Sequence, residues 1–282
     1  MCIRDRPVGK AEIATQPKAQ AALDKEWNKL VVAKVWDEDK PQEWSTLARA
    51  ARETGETIHV GRVFELCTEK GSELPDGDPD KKYKGRSVFQ GNEVKDEHWD
   101  AAIFQELGSS PAQLSAVKVC DWYGLLKGHG TMQADAEAAY INAELKGPKT
   151  YVRLPPNRVP ASAKGMRDPV FPLRLALYGH PDSGGHWEAF CHEMLVGEGW
   201  SLMARNTWKS TYWHKAMKML LVVYVDDFRM SGPEGNFPKA WETIRRHIKT
   251  SDPQKSGKFL GCDHKRSSKD IPTGGDPWSI YD

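Results

Sequence analysis

Hydrophobic positions along this chain follow two rhythms. Leu23, Trp27, Leu30, Val31 and Val35 recur every three or four residues and predict a helix over 21–36. A second helix is expected from Pro41 to about residue 52. Alternation over 57–68 and 83–90, with the turn-rich stretch 71–80 between them, predicts a β-hairpin. Ser110-Pro111 places a hydroxyl at an N-cap and proline at the first helical position, so a helix should run to about 126. A short strand is expected at 131–136. Asp182 or Ser183 should open a helix that stops near Gly197 and Gly199. The apolar run Met-Leu-Leu-Val-Val-Tyr-Val at 219–225 reads as a strand buried on both faces. A return strand at 228–231, a helix at 237–250 and a last strand at 258–264 follow. Strands with helices on one face make an α+β fold.

The buried strand ends in Asp226-Asp227. Burying ionised carboxylates is costly, and a divalent cation is one of the few good compensators. The plain alternative is that both are turn residues before the return strand from Phe228. A second acidic position, Asp135, follows the turn Gly128-His129-Gly130, and only the fold can bring it to Asp226. Such convergence is what two-metal phosphoryl transfer requires, because carboxylates bridge the ions that hold the attacking and leaving oxygens.

Ordered blocks extend the pattern. They are Tyr83-Lys84-Gly85-Arg86-Ser87-Val88; Asp135 to Leu145, followed by Tyr151-Val152-Arg153-Leu154-Pro155; Leu175-Ala176-Leu177-Tyr178-Gly179 with Trp187 downstream; Tyr224-Val225-Asp226-Asp227; and Phe259-Leu260-Gly261. In this order and spacing the chain resembles the reverse transcriptase of copia-type LTR retrotransposons over about residues 80–264. The departures are local. Gly85 stands where the family usually has Ala, Asp182 stands at a Gln position, Asn142-Ala143 replaces Asn-Gly, and Trp200 replaces Phe.

The resemblance implies a right-hand polymerase with an antiparallel palm sheet, helices packed on one of its faces, and no thumb. Residues 17–115 would be mainly fingers. Residues 116–265 would be mainly palm, with fingers interleaved at about 150–180, and 266–282 a C-terminal tail. The opening Met1-Cys2-Ile3-Arg4-Asp5-Arg6 resembles translated adapter sequence, so 1–16 is expected to be a disordered or artefactual tail. By motif position, Asp135, Asp226 and Asp227 would be the catalytic, metal-binding carboxylates for two Mg²⁺ ions, with Mn²⁺ as a substitute. Lys84, Arg86, Tyr140 and Asp182 would bind the nucleotide, with Tyr140 under the sugar. Phe259, Leu260 and Gly261 would form the primer grip. Implied partners are an RNA or DNA template with its primer, dNTPs, and the RNase H, integrase and protease regions of a polyprotein. The implied setting is a cytoplasmic retrotransposon particle or the nucleus. The rival readings are an inactive nucleic-acid-binding remnant of the same fold and an unrelated Mg²⁺ nuclease or phosphatase.

Composition narrows this little. Forty Lys and Arg against thirty-nine Asp and Glu give a net charge of +1, so a nucleic-acid surface must be local. Three basic stretches, 81–86, 244–249 and 265–266, are candidates, though each taken alone reads more readily as a solvated face. Five scattered cysteines without a Cys-x-x-Cys pair suit reduced thiols, and Cys191-His192 and Cys262-x-His264 match no standard zinc module. No run is long and apolar enough for a membrane span.

Overall fold

The computed structural model describes residues 5–104, 111–204, 207–255, 257–260 and 262–264. Two sheets organise them. The chain opens with β1 (Arg6–Pro7), α1 (Lys10–Thr15) and α2 (Pro17–Val32), the last with proline in its first turn. Leu23, Trp27 and Leu30 form the buried stripe of α2, as their spacing predicts. Then come β2 (Gln42–Glu43) and α3 (Trp44–Thr54), which ends on Gly55 at φ 69°. Long β3 (Ile58–Lys70) and β4 (Lys82–Phe89) form the expected antiparallel hairpin, and β5 (Lys95–Asp96) adds a short rung to β3.

After α4 (Leu114–Gly124), strand β6 (His129–Asp135) leaves for the second sheet. The chain then returns to the first sheet with β7 (Lys149–Arg153), parallel to β3, and β8 (Pro169–Pro172). A core of Trp27, Leu30, Trp36, Val63, Phe89 and Phe171 joins α2 to this sheet.

The second sheet has the order β13 (Gln254–Lys255), β6, β12 (Asp227–Pro233), β11 (Met219–Tyr224), β10 (Trp208–His214) and β9 (Ser201–Ala204), and is antiparallel throughout its described pairs. Helix α5 (Ser183–Gly197) precedes β9 and β10. Next come β11, β12, α6 (Phe237–Arg245) and β13. A small hairpin, β14 (Lys258–Phe259) with β15 (Cys262–Asp263), closes the described chain.

Three expectations need correction. Helices cover both faces of the second sheet, not one. Met219, Leu221 and Val223 pack with Trp187 and Leu195 of α5 and Trp241 of α6. The intervening Leu220 and Val222 pack with Ala116, Val117 and Cys120 of α4. A strand apolar at every position needs cover on both sides. Second, much of 1–16 takes part in the fold. Arg6 and Pro7 pair with β3, Val8 is buried, and the Arg6 guanidinium bridges Glu12 and Glu69. Third, 258–264 is a hairpin and not one strand, because Leu260 turns the chain at φ 49°.

Gly85 sets how closely α2 lies on β4. A Cβ there would meet the Ala22 carbonyl oxygen at 2.5 Å and the Leu23 Cα at 2.8 Å. Restoring the family's usual alanine by Gly85→Ala should therefore push α2 outward and destabilise the protein by roughly 1–3 kcal/mol in chemical denaturation. An unchanged midpoint would show that the helix shifts without cost.

Candidate active site

The hairpin β11–β12 turns through Val225 and Asp226, and Tyr224 pairs with Asp227. Val225 sits at φ 56°, costly for a β-branched residue. Its carbonyl accepts a 2.7 Å hydrogen bond from Trp187 Nε1 on α5, which ties the turn to the core. On the other side of β12, the register sets Asp227 directly opposite Asp135 of β6. Ala136 N donates to the Asp226 carbonyl at 2.6 Å, closing the gap between turn and strand end. Ser251 fixes the end of β6 from outside, with its Oγ accepting from Asp135 N at 2.9 Å and its own N donating to the Asp135 carbonyl. The fold thus brings Asp135, Asp226 and Asp227 to one place.

Asp135 and Asp226 are exposed, and Asp227 is half-buried between them. Desolvation first, then the charges of Asp226 and Asp135, raise the Asp227 carboxyl to about 6. Protonated Asp227 also hydrogen-bonds to Asp135. Among the described residues no three acidic, His or Cys side chains form a ready-made metal cage. The donor set nonetheless fits a hard cation. Its ligands would be carboxylate oxygens, its charge would relieve the repulsion that raises Asp227, and Mg²⁺ commonly completes its shell with water and phosphate rather than protein.

Beside the carboxylates lies a cleft of about 770 Å³, open to solvent. Lys84 and Arg86 line it from β4, Tyr140 and Asp226 from the second sheet's edge, and Tyr178 from the loop before α5. Tyr140 and Tyr178 meet edge-to-face at 4.9 Å, and the Arg86 guanidinium lies 5.4 Å from the Tyr178 ring centroid. The bend that carries Tyr140 is held by Asn142, whose Nδ2 donates to the carbonyls of Glu137, Ala138 and Ala139. Desolvation, then Arg86 and Lys70, lowers the Lys84 ammonium from its ordinary range. The cleft sets Lys29, Lys84 and Arg86 against Glu26 and Asp226, and Lys29 is paired with Glu26, which leaves Lys84 and Arg86 to meet an anionic ligand beside the carboxylates.

Not every expected residue joins the cleft. Asp182 is 5% exposed at the start of α5, beside His180 and facing His59, so it contacts no open space. The Phe259 ring is buried against Leu220, Val222 and α4, so it anchors its hairpin from within. Gly261 lies outside the described residues. Sequence reasoning passed over Glu26 and Lys29 of α2, because amphipathic spacing marks the buried stripe and not the polar residue beside it. Tyr178 is marked in the sequence only as part of a motif.

The family model described as "Reverse transcriptase (RNA-dependent DNA polymerase)" matches residues 68–272, well over half of the chain. The chain belongs to the reverse transcriptase family. Similar proteins include transposon Gag-Pol polyproteins of Saccharomyces cerevisiae. The transposon Ty1-NL2 Gag-Pol polyprotein is 22% identical over 235 residues, covering 81% of this chain and 11% of the polyprotein. The Ty1-BL Gag-Pol polyprotein is 22% identical over 223 residues, 77% of this chain and 11% of its own length. These relatives agree with the copia-type resemblance of the motifs, and the chain spans little more than a tenth of their length.

In this reverse transcriptase domain the raised Asp227 carboxyl has a stability consequence. Unfolded Asp227 titrates near its ordinary value of 3.8, whereas the folded protein holds the proton to about 6. The folded state binds more protons in that window, so stability falls as pH rises through it. Asp227→Asn should raise the melting temperature of the metal-free protein by roughly 2 °C at pH 8, the shift expected for less than about 1 kcal/mol in a domain of this size. The gain should vanish below about pH 4, where both side chains are neutral. A pH-independent gain would assign it to packing.

Proposed function

We propose that this domain is an RNA-directed DNA polymerase that adds dNTPs to a primer 3′-OH on an RNA or DNA template. The observation that carries the reading is the juxtaposition of Asp135, Asp226 and Asp227 at the mouth of a cleft lined by Lys84 and Arg86. Two Mg²⁺ ions held by the three carboxylates would neutralise charge on the attacking and leaving oxygens. The chain's own residues do the rest. Lys84 and Arg86 bind the triphosphate, Arg86 as a fork held over Tyr178 and Lys84 as a point charge. Tyr140, half-buried and propped by Tyr178, forms the floor beneath the sugar and leaves no room for a 2′-OH.

On this reading the first sheet with α2 corresponds to fingers and the second sheet to palm, and the hairpin at Phe259 and Leu260, with Gly261, is the primer grip. Strands β7 and β8, which lie in sequence between β6 and β9, would be the interleaved part of the fingers. The partners are template, primer and dNTP, together with the other regions of a Gag-Pol polyprotein in a retrotransposon particle.

Primer extension on an RNA template with dNTPs and Mg²⁺ is the direct test. The parent should extend, and Asp226→Asn should abolish extension while leaving the melting temperature nearly unchanged. An extending Asp226→Asn variant, or an inactive folded parent, would overturn the reading, the latter in favour of a nucleic-acid-binding remnant. Lys84→Ala should raise KM for dNTP about tenfold or more, as expected for loss of a charge-assisted phosphate contact, and leave template–primer affinity unchanged. Tyr140→Ala should raise rNTP use relative to dNTP, and an unchanged ratio would make Tyr140 a packing residue only.

A further inference from the structure

The polar ladder that begins with the carboxylates continues down the same face of the second sheet. Asp227 faces Asp135, Arg229 faces Gln133, and Ser231 faces Thr131. Residues two apart on a strand share a face, so Arg229 stands one step, about 7 Å, from the carboxylate pair. It is 1% exposed. A guanidinium does not shed its proton on burial, so its charge must be met in place.

Those partners all lead to one element. Arg229 Nε donates to Asp121 Oδ1 of α4 at 2.6 Å, and Nη1 donates to Gln133 Oε1 at 3.0 Å. The guanidinium carbon lies 5.1 Å from the centroid of the Phe259 ring. The second Asp121 oxygen lies 2.9 Å from His264 Nδ1, and Gln133 Oε1 also accepts from Gly257 N at 3.3 Å. The start, middle and end of segment 257–264 therefore converge on one buried cation and its two partners. Among the described residues the hairpin has two strand pairs of its own and one further backbone hydrogen bond, from His264 N to the Gly257 carbonyl. A hairpin that short does not hold a shape unaided.

We infer that Arg229 is a positioning residue that fixes the hairpin 257–264 at a set distance from the carboxylates. A well-packed apolar side chain at 229 would serve stability as well or better, because burying the ion pair costs desolvation. What the charge adds is geometry, since it fastens three points of the hairpin to the two strands that carry Asp135 and Asp227. What the hairpin then does rests on the polymerase reading: it holds the primer terminus at those carboxylates.

The test separates the latch from the polymerase reading. Cys262 is exposed, while Cys67, Cys120 and Cys191 are buried. In a Cys2→Ser background, a nitroxide on Cys262 reports hairpin mobility without any activity. Arg229→Met should fold and should shorten the label's correlation time about threefold, as expected for a locally released segment, with Arg229→Lys intermediate because lysine lacks the fork. His264→Ala, which leaves the sheet untouched, should give a smaller change in the same direction and serves if the methionine variant does not fold. In primer extension, Arg229→Met should raise KM for template–primer about tenfold and leave KM for dNTP within about twofold, because the lost energy belongs to one substrate only. Unchanged label mobility in folded Arg229→Met, or in His264→Ala should that variant not fold, would overturn the latch. A loosened hairpin with unchanged KM for template–primer would overturn its link to the primer. A parent that extends no primer would count against the polymerase reading, while the label would still decide the latch.

Discussion

Like charges set opposite one another are the constraint around which this protein is built. Asp227 and Asp135 face each other across an antiparallel ladder, with Asp226 one residue away on the turn. No local preference would choose that arrangement, since like charges opposite one another in a sheet are unfavourable. The surroundings impose it. Met219, Leu221 and Val223 bury one face of β11 against α5 and α6, and Leu220 and Val222 bury the other against α4. Trp187 holds the turn at Val225, and Ser251 holds the end of β6. Packing on both faces supplies the stability that the carboxylates give up. Asp227 partly relieves the strain itself, its carboxyl being raised to about 6 by desolvation and by its acidic neighbours.

The first sheet has a different task. It delivers positive charge to the cleft on a strand whose other contacts are firm. Gly85 lets α2 lie directly on β4 between Lys84 and Arg86, so two cations stand on a backbone fixed from behind. The Tyr140–Tyr178 pair and Arg86 above Tyr178 then link the two sheets across the cleft. A ligand bridging the cations and the carboxylates would touch groups from both sheets at once.

Much of this was legible in the sequence, for reasons that differ by element. The continuous apolar run at 219–225 named a doubly buried strand, yet the same run implied cover on both faces, which a one-sided helix layer does not supply. Alternation revealed β3 and β4, helical spacing revealed α2, and start and stop residues marked α5. The short strands β7, β8 and β13 left little trace, because two to five residues carry too little period to distinguish them from loops. The carboxylates and the cations of β4 were readable because their motifs are local. Asp182 was misplaced because a motif position fixes a backbone site but not the direction of a substituted side chain. Arg229 and Asp121 could not be paired from sequence, since nothing in either segment signals a contact between residues so far apart.

Manganese resonance on the intact domain tests the carboxylate site most directly. Free aqueous Mn²⁺ gives a strong six-line spectrum that is lost on binding, so occupancy is read without turnover. With a template–primer terminated in a dideoxynucleotide and the matching dNTP, the parent should quench the signal of about two ions per chain, as expected for a two-metal centre. Asp135→Asn/Asp226→Asn should leave the signal as it is with dNTP alone. Equal quenching by parent and double variant would contradict a cation site built from these carboxylates.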